Sequence, residues 1–161
     1  NGDGGGIGVV VDGSDISRRS QIVNTVFTNN DISARLNAGA VVGFSTMLDG
    51  PLECRVPGLA VIASIITPDQ PIDPSCAAVA TLARFETPVM GSFNLDASRP
   101  NVVPGVDRYG LLPGASSCID YLPEPLPNLI TDALLISPNG IDVQGQPRRI
   151  GSSRDCGADE F

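Results

Sequence analysis

The segments QIVNTVFTNN (21–30), AVVGFSTMLD (40–49) and AVIASIITPD (60–69) align without gaps, and this repeat decides the fold. Each segment is a short run rich in β-branched residues that ends in Asn, Asp or Pro. Two columns are apolar throughout: Ile22, Val41 and Val61 in one, and Val23, Val42 and Ile62 in the next. The repeat length is 19 and then 20 residues, which indicates a solenoid built from stacked units.

A fourth copy, TLARFETP (81–88), follows VIASIITP (61–68) after another 20 residues. Leucine-rich repeats have a similar length, but they need several Leu and an Asn at fixed offsets, which these units lack. Short β-branched strands interrupted by turn residues suit a parallel β-helix, in which coils stack roughly 4.8 Å apart and like residues form ladders. The pattern predicts an all-β protein with about four to five rungs of about 20 residues.

The repeat is absent after Arg99, where the composition changes. Eight prolines stand at positions 100, 104, 113, 123, 125, 127, 138 and 147. A solenoid needs an atypical terminal unit that covers its last open ladder. We therefore predict rungs over residues 1–98 and an irregular C-terminal cap over 99–161, within one structural unit.

Charge and composition exclude several classes of function. The chain has 161 residues, 42% of them apolar, and a net charge of −8, which disfavours nucleic acid and anionic membranes as partners. It contains no His, which removes the usual proton shuttle at neutral pH and the commonest metal ligand. All ten basic residues are Arg, so an enzyme would depend on carboxylates, Arg, Tyr or Cys.

The four cysteines, at positions 54, 76, 118 and 156, are too widely spaced for a zinc knuckle or a thioredoxin-type site. They favour two disulfides formed in an oxidising compartment, and the sequence alone allows three connectivities. No apolar run approaches 18 residues, so no membrane span is expected. The chain starts with Asn and not Met, from which we expect a start made by processing.

The glycine cluster GDGGGIG (2–8) is superficially similar to a phosphate-binding loop. A dinucleotide fingerprint needs a strand before its glycines and a helix after them. Here a β-branched run follows the cluster, so we predict a tight corner of the coil.

Several motifs in order resemble bacterial cell-surface proteins with a right-handed parallel β-helix, of the pectate-lyase-like or polymorphic outer membrane protein type. GGGI (4–7) and VNTVFTNN (23–30) are similar to their rungs, and SCAAV (75–79) and GSFNLDA (91–97) to their last rungs. GLLPGASSCID (110–120), DVQGQPRRIG (142–151) and DCGADEF (155–161) are similar to their closing segments. The sequence departs from that pattern at Gln144, at Cys118 and in the order of DCG.

The resemblance implies a right-handed coil and a non-enzymatic structural or adhesive module, secreted or on a bacterial surface. The module would be a processed fragment of a larger surface protein or a subunit of an extracellular fibre. Cys118 is implied to bond Cys156 in the cap, which leaves Cys54 and Cys76 for neighbouring rungs. The position of PRRIG (147–151) implies that Arg148 or Arg149 anchors the tail by pairing with an acid such as Asp155.

Members of that family have more rungs before this ending. The N-terminal rung is therefore expected to be open, exposing unpaired backbone groups and apolar side chains that normally require cover. A protein partner or self-association through this rung would cover it.

Carboxylates supply the remaining candidate sites, and no resident cofactor is expected. Calcium prefers several oxygen ligands in a loop, and the candidate ligands are Asp142, Asp155, Asp159 and Glu160. The alternative function is a carbohydrate-active β-helix enzyme or a glycan-binding module. Its candidate groups are Asp49, Asp69 and Asp73 near rung corners, with Arg84.

Overall fold

The computed structural model describes residues 7–11, 20–67, 71–86, 93–107, 110–112, 116–125, 140–147, 149 and 151–158, and every statement below concerns these residues. They form fourteen strands and no helix. In chain order, β1 to β14 are Ile7–Val11, Ser20–Val23, Val26–Phe27, Ile32–Leu36, Ala40–Gly43, Thr46–Met47, Leu52–Cys54, Gly58–Ile62, Ile65–Ile66, Cys76–Val79, Leu82–Ala83, Leu95–Asp96, Val106–Asp107 and Gly110–Leu111.

Three parallel sheets run along the molecule as the faces of a coil. The first sheet has the order β1-β4-β7, the second β10-β8-β5-β2, and the third β12-β11-β9-β6-β3. We call β1 to β3 coil 1, β4 to β6 coil 2, β7 to β9 coil 3, β10 and β11 coil 4, and β12 coil 5. The fold is a parallel β-solenoid, as predicted.

The described strands make about three turns, fewer than the four to five rungs expected. Coils 1 to 3 each contribute a strand to all three sheets, whereas coil 4 contributes two strands and coil 5 only one. The sequence separation between residues that hold the same position in successive coils also shortens. It is 20 residues between coils 1 and 2, and then 19, 17 and 13 residues. A shorter coil has fewer residues available for three strands and their corners.

The register corrects the sequence alignment in two places. Ile22 pairs with Val42, and Val42 pairs with Val61, so the middle segment was aligned one residue too early. A slip of one residue in a strand reverses the face of every side chain. In coil 4, Ile65 pairs with Leu82 and Ile62 with Val79, which makes that repeat three residues shorter than predicted.

A polar ladder of Ser, Thr and Asn sets this register. In each coil one of these residues follows a residue with positive φ, between the second and the third sheet. The ladder residues are Thr25, Ser45, Ser64, Thr81 and Asn94, and the residues before them are Asn24, Phe44, Ala63, Ala80 and Phe93, with φ between 45° and 55°.

Each ladder side chain after Thr25 satisfies two backbone groups. The Ser64 hydroxyl donates to the carbonyl of Ile62 at 2.9 Å and accepts from the amide N–H of Ser45, one coil earlier, at 3.2 Å. The same pair of bonds recurs along the ladder, and at its C-terminal end the Asn94 amide accepts from the Thr81 N–H at 3.0 Å and donates to the Ala78 carbonyl at 2.9 Å. A buried bend that would otherwise leave backbone groups unpaired is thereby satisfied.

Two apolar clusters lie on opposite sides of the second and third sheets. The first fills the inside of the coil with residues from all three sheets, such as Leu36, Val61 and Met47. The second lies outside the coil, where Ile62 and Ile65 pack against the C-terminal segment. The outer face of the first sheet is polar by contrast, because Arg35 and Glu53 stack there as an ion pair at 2.6 Å.

Candidate functional site

The N-terminal edge of the coil, formed by β1, β2 and β3, is the main candidate site, and we call it the open end. Each of these strands pairs with a coil 2 strand on one side, and none has a described partner strand on the other. Val9, Val11 and Ile22 belong to the inner apolar cluster but remain only partly buried. Among the described residues, coil 1 therefore has no strand beyond it, and cover of this end by a partner stays a prediction.

A cavity of about 570 Å³ lies at the open end. Its apolar wall includes Val9, Ile22 and Phe27, and its polar wall includes Thr25 and Asn30. A lining of apolar side chains with a few polar groups is typical of a surface that binds an extended peptide or a small molecule.

The corner beside this cavity is stabilised by Asp49 of coil 2. Its carboxylate accepts from the backbone N–H of Asn29 at 3.1 Å and from the Thr28 hydroxyl at 3.3 Å. Asn29 has φ of 57°, a conformation that Asn adopts more readily than most residues. Asp49 therefore acts as a structural acceptor that fixes the edge of coil 1 on coil 2.

Asp73, another predicted catalytic candidate, also serves backbone groups. Its carboxylate accepts from the N–H of Ser75 at 2.8 Å and from the N–H of Cys54 at 3.3 Å. Arg84 is exposed on coil 4, and Asp69 lies outside the described residues. The described bonds of Asp49 and Asp73 thus go to backbone N–H groups and a neighbouring hydroxyl, and a carbohydrate-active site stays a prediction.

The disulfides join the cysteines as predicted. Cys54 of coil 3 bonds Cys76 of coil 4, and Cys118 bonds Cys156. The two bonds differ in role, because the first links neighbouring coils from inside, whereas the second lies in the outer apolar cluster. Such bonds are compatible with an extracellular protein.

The C-terminal strap, by which we mean the described residues between 140 and 158, lies along the side of the coil. The N–H of Gly157 donates to the carbonyl of Ala63 in coil 3 at 2.8 Å, and the N–H of Ala158 donates to the Thr46 hydroxyl in coil 2 at 3.0 Å. The Asn24 side chain in coil 1 donates to the carbonyl of Ile141 at 2.5 Å. These described contacts of the strap lie on coils 1 to 3, and the expected sealing of the last rung by the irregular C-terminal segment stays a prediction.

Gly157 fits closely in this contact. A Cβ there would lie 2.9 Å from Ile65 Cδ1 and 3.0 Å from Thr46 Oγ1, and φ is 104°. A larger residue would be strained at this φ and would require Ile65 Cδ1 or Thr46 Oγ1 to shift.

The anchoring arginine is Arg154, which the sequence reasoning missed. It is 5% exposed and forms an ion pair with Glu124. Arg149 is exposed, and its guanidinium donates to the Ser152 carbonyl at 3.3 Å, three residues away. An ion pair of Arg148 or Arg149 with an acid such as Asp155 stays a prediction. Arg148 lies outside the described residues. In sequence, RDCG (154–157) places an arginine beside the strap cysteine, which was the available signal.

Two of the four calcium candidates, Asp142 and Asp155, are among the described residues. Asp142 Oδ1 accepts from the N–H groups of Gln144 and Gln146, both at 2.8 Å, and Asp155 Oδ1 accepts from the N–H of Asp120 at 2.6 Å. Asp142 and Asp155 are buried; Asp142 closes its own turn, whereas Asp155 bonds a segment 35 residues earlier in the chain. Asp159 and Glu160 lie outside the described residues, and among the residues described no three Asp, Glu, Cys or His side chains cluster as metal ligands. Calcium binding stays a prediction.

Asp120 and Tyr121, two neighbouring residues of the C-terminal segment, have perturbed pKa values. The backbone N–H of Ser153, which donates to Asp120 Oδ1 at 2.8 Å, holds the pKa of that carboxyl below its ordinary value of 3.8. Burial raises the pKa of Tyr121, whose hydroxyl donates to the Phe93 carbonyl at 2.8 Å.

Comparisons of the chain with protein-family models, with curated protein sequences and with solved structures find no match. The resemblance to pectate-lyase-like and polymorphic outer membrane proteins therefore rests on the quoted motifs, and a bacterial surface origin stays a prediction. In the described residues, no helix is long and apolar enough to cross a membrane.

Proposed function

We propose that this protein is a non-enzymatic structural or adhesive module of an extracellular assembly, and that it joins the assembly through its open end. The observation that carries this proposal is the edge at which the described strands of three parallel sheets end together beside a partly apolar cavity. Unpaired strand edges recruit further strands through backbone hydrogen bonds, and buried apolar side chains add affinity.

The rest of the described surface supports a structural role. One side of the coil is covered by the strap, and the first sheet presents the Arg35–Glu53 ion pair to solvent. The two disulfides suit an oxidising setting outside the cell, where such bonds persist. Asp49 and Asp73, which the carbohydrate-active alternative requires, serve backbone amides.

The test compares the particle mass of native material with that of a variant whose open end is blocked. We expect light scattering on native extracts to give an assembly heavier than the 16.7 kDa chain. Ile22→Lys would place a charge in the cavity and release a monomer, because an inward charge on an edge strand prevents further pairing. Val10→Lys is the matched control, since Val10 lies in the same coil but is 52% exposed.

Circular dichroism and protease resistance check that both variants fold, and Val9→Lys replaces Ile22→Lys if the latter does not. A native monomer without any co-purifying chain would overturn the proposal. So would turnover of an acidic polysaccharide or specific retention on a glycan array, which would favour the alternative function.

A further inference from the structure

Two backbone amides of coil 1 are directed at the open end. In coil 2, the N–H groups of Thr46 and Leu48 donate backwards to the carbonyls of Thr25 and Phe27, both at 2.9 Å. Their equivalents one coil earlier are Val26 and Thr28, because Val26 pairs with Thr46 in the parallel register. In a parallel sheet, the backbone groups of successive residues bond the neighbouring strands on opposite sides. The N–H groups of Val26 and Thr28 therefore point away from coil 2.

The first residue of the polar ladder supplies an acceptor in the same direction. The Thr25 N–H donates forward to the Ser45 hydroxyl at 3.4 Å, and the Thr25 hydroxyl donates to the Val23 carbonyl at 3.0 Å. In later coils the corresponding hydroxyl oxygen also accepts an N–H from the coil before it, as Ser64 accepts from Ser45. Thr25 Oγ1 thus occupies the position at which an added coil would donate.

The opposite end of the third sheet is terminated by its own turn. The carbonyl of Asp96 in β12 accepts from the N–H of Arg99 at 3.0 Å, and its carboxylate accepts from the N–H of Ser98 at 3.0 Å. Two copies would also each carry a net charge of −8, which opposes close association. A second copy stacked head to tail is therefore a poor occupant of the open end.

We infer that the open end takes an extended segment of a different polypeptide, which enters parallel to β2 and β3 as an added coil. The segment bends with a left-handed residue beside Asn24, so that its next N–H donates to Thr25 Oγ1 and its carbonyls accept from Val26 and Thr28. This inference rests on the proposed function, and it continues the bonding pattern that already joins coils 1 to 4.

The probe for this inference is the acetylated and amidated peptide AVVGFSTMLD, whose sequence forms this bend within coil 2. A labelled peptide is titrated into the full chain, and amide hydrogen exchange is followed at Val26 and Thr28. We expect saturable binding and slower exchange at both amides. N-methylation of the peptide nitrogen equivalent to Ser45 should weaken binding about tenfold, since it removes one hydrogen bond.

Variants of the chain test the acceptor itself. Thr25→Val should weaken binding of the unmodified peptide about tenfold and leave the N-methylated peptide unaffected, whereas Thr25→Ser should restore tight binding. Equal binding of both peptides, or binding without slower exchange at Val26 and Thr28, would overturn the inference. Exchange at these amides that is already slow in the chain alone, or self-association that slows it, would overturn it as well.

The native-mass experiment and the peptide-binding experiment can each fail without the other. If native assemblies are disrupted by Ile22→Lys but the peptide shows no dependence on Thr25, the proposed function stands and the inferred geometry is wrong. If the peptide binds as expected but native material is a partner-free monomer, the geometry stands and the proposed function is wrong.

Discussion

At the scale of single residues, small polar groups have large structural effects in this protein. Thr46 is the only polar residue of the outward row that it shares with Val26, Ile65, Leu82 and Leu95. It is 1% exposed, and its hydroxyl accepts from the N–H of Ala158. The exception in an apolar row therefore marks a docking point for the strap.

Thr46→Val should loosen the strap without disturbing the coil. The change leaves the buried N–H of Ala158 without its acceptor, which costs about 1–3 kcal/mol. Hydrogen exchange at Ala158 and Gly157 should accelerate, while exchange at Ile65 and Ile66 should stay slow. Thr46→Ser retains the hydroxyl and should behave like the parent chain. Acceleration of equal size in Thr46→Ser would show that the methyl group, and not the hydrogen bond, holds the strap.

Protonation of Asp120 should weaken its contact with the strap. Its folded pKa lies below the ordinary 3.8, so the stabilising bond to the Ser153 N–H is fully present above that pH and is lost as the pH falls through the folded pKa. NMR titration should show the Ser153 amide signal shifting below about pH 4. Asp120→Asn cannot ionise and should abolish that shift, and persistence of the shift in this variant would exclude Asp120 as its origin.

At the scale of elements, the polar ladder joins strands that are short. Strands β3, β6, β9 and β11 have two residues each, so their ladder hydrogen bonds are few. The bend preceding each of them adds one side-chain bond and one backbone bond to the next coil, such as Ile65 N–H to the Ser45 carbonyl at 2.9 Å. The bend is thus as important as the strand for holding the coils together.

Ser64→Ala tests the ladder at its centre. Ser64 is fully buried, and its loss leaves the Ser45 N–H and the Ile62 carbonyl without their side-chain partner. We expect urea denaturation to show a loss of about 1–3 kcal/mol in the free energy of unfolding. Ser64→Thr should retain most of the stability, because Thr occupies the same position in coils 1 and 4. A loss under 0.5 kcal/mol for Ser64→Ala, about that of an unconstrained surface change, would contradict a structural ladder.

Removal of each disulfide should have a different effect on the strap. Replacing Cys118 and Cys156 by Ser removes a link across 38 residues, worth about 4 kcal/mol by loop closure, and releases the strap. Trypsin should then cleave after Arg154, which is otherwise buried.

The matched control replaces Cys54 and Cys76, which close a loop of 22 residues and contribute about 3 kcal/mol by the same reasoning. It should destabilise the coil while Arg154 stays protected in the folded protein. Early cleavage after Arg154 in both variants would mean that strap and coil unfold together.

The sequence was sufficient for the parallel solenoid but not for its register. The apolar residues of neighbouring segments are chemically similar, so a gap-free alignment cannot detect that Val42, and not Val41, pairs with Ile22. Positive φ at Phe44 and Ala63 was also unpredictable, because neither residue type favours that conformation. The Ser and Thr that follow them carry the usable signal.

The strap was harder to place than the coil. Its contacts join residues more than 110 positions apart, and a segment rich in Pro and turn residues has no period that could reveal them. The disulfide pairing was predictable because the resemblance placed Cys118 and Cys156 together, whereas the buried pair of Arg154 and Glu124 depends on the path of the chain between them.

At the scale of the whole molecule, each surface has a different composition. The outside of the second and third sheets is covered by the strap, the outside of the first sheet carries the Arg35–Glu53 pair, and coil 5 ends in a turn at Asp96. The open end alone combines directed backbone amides with an apolar interior among the described surfaces. On our proposal, another chain would extend the particle at this end.

The strap also imposes an order on folding. Its partners Asn24, Thr46 and Ala63 lie in three successive coils, so its binding surface does not exist until those coils have stacked. Contacts of such long sequence separation form late, because the loop-closure entropy is large until the intervening chain is ordered. During synthesis, the coils can therefore form as the chain emerges, and the strap binds to them only after it has been made.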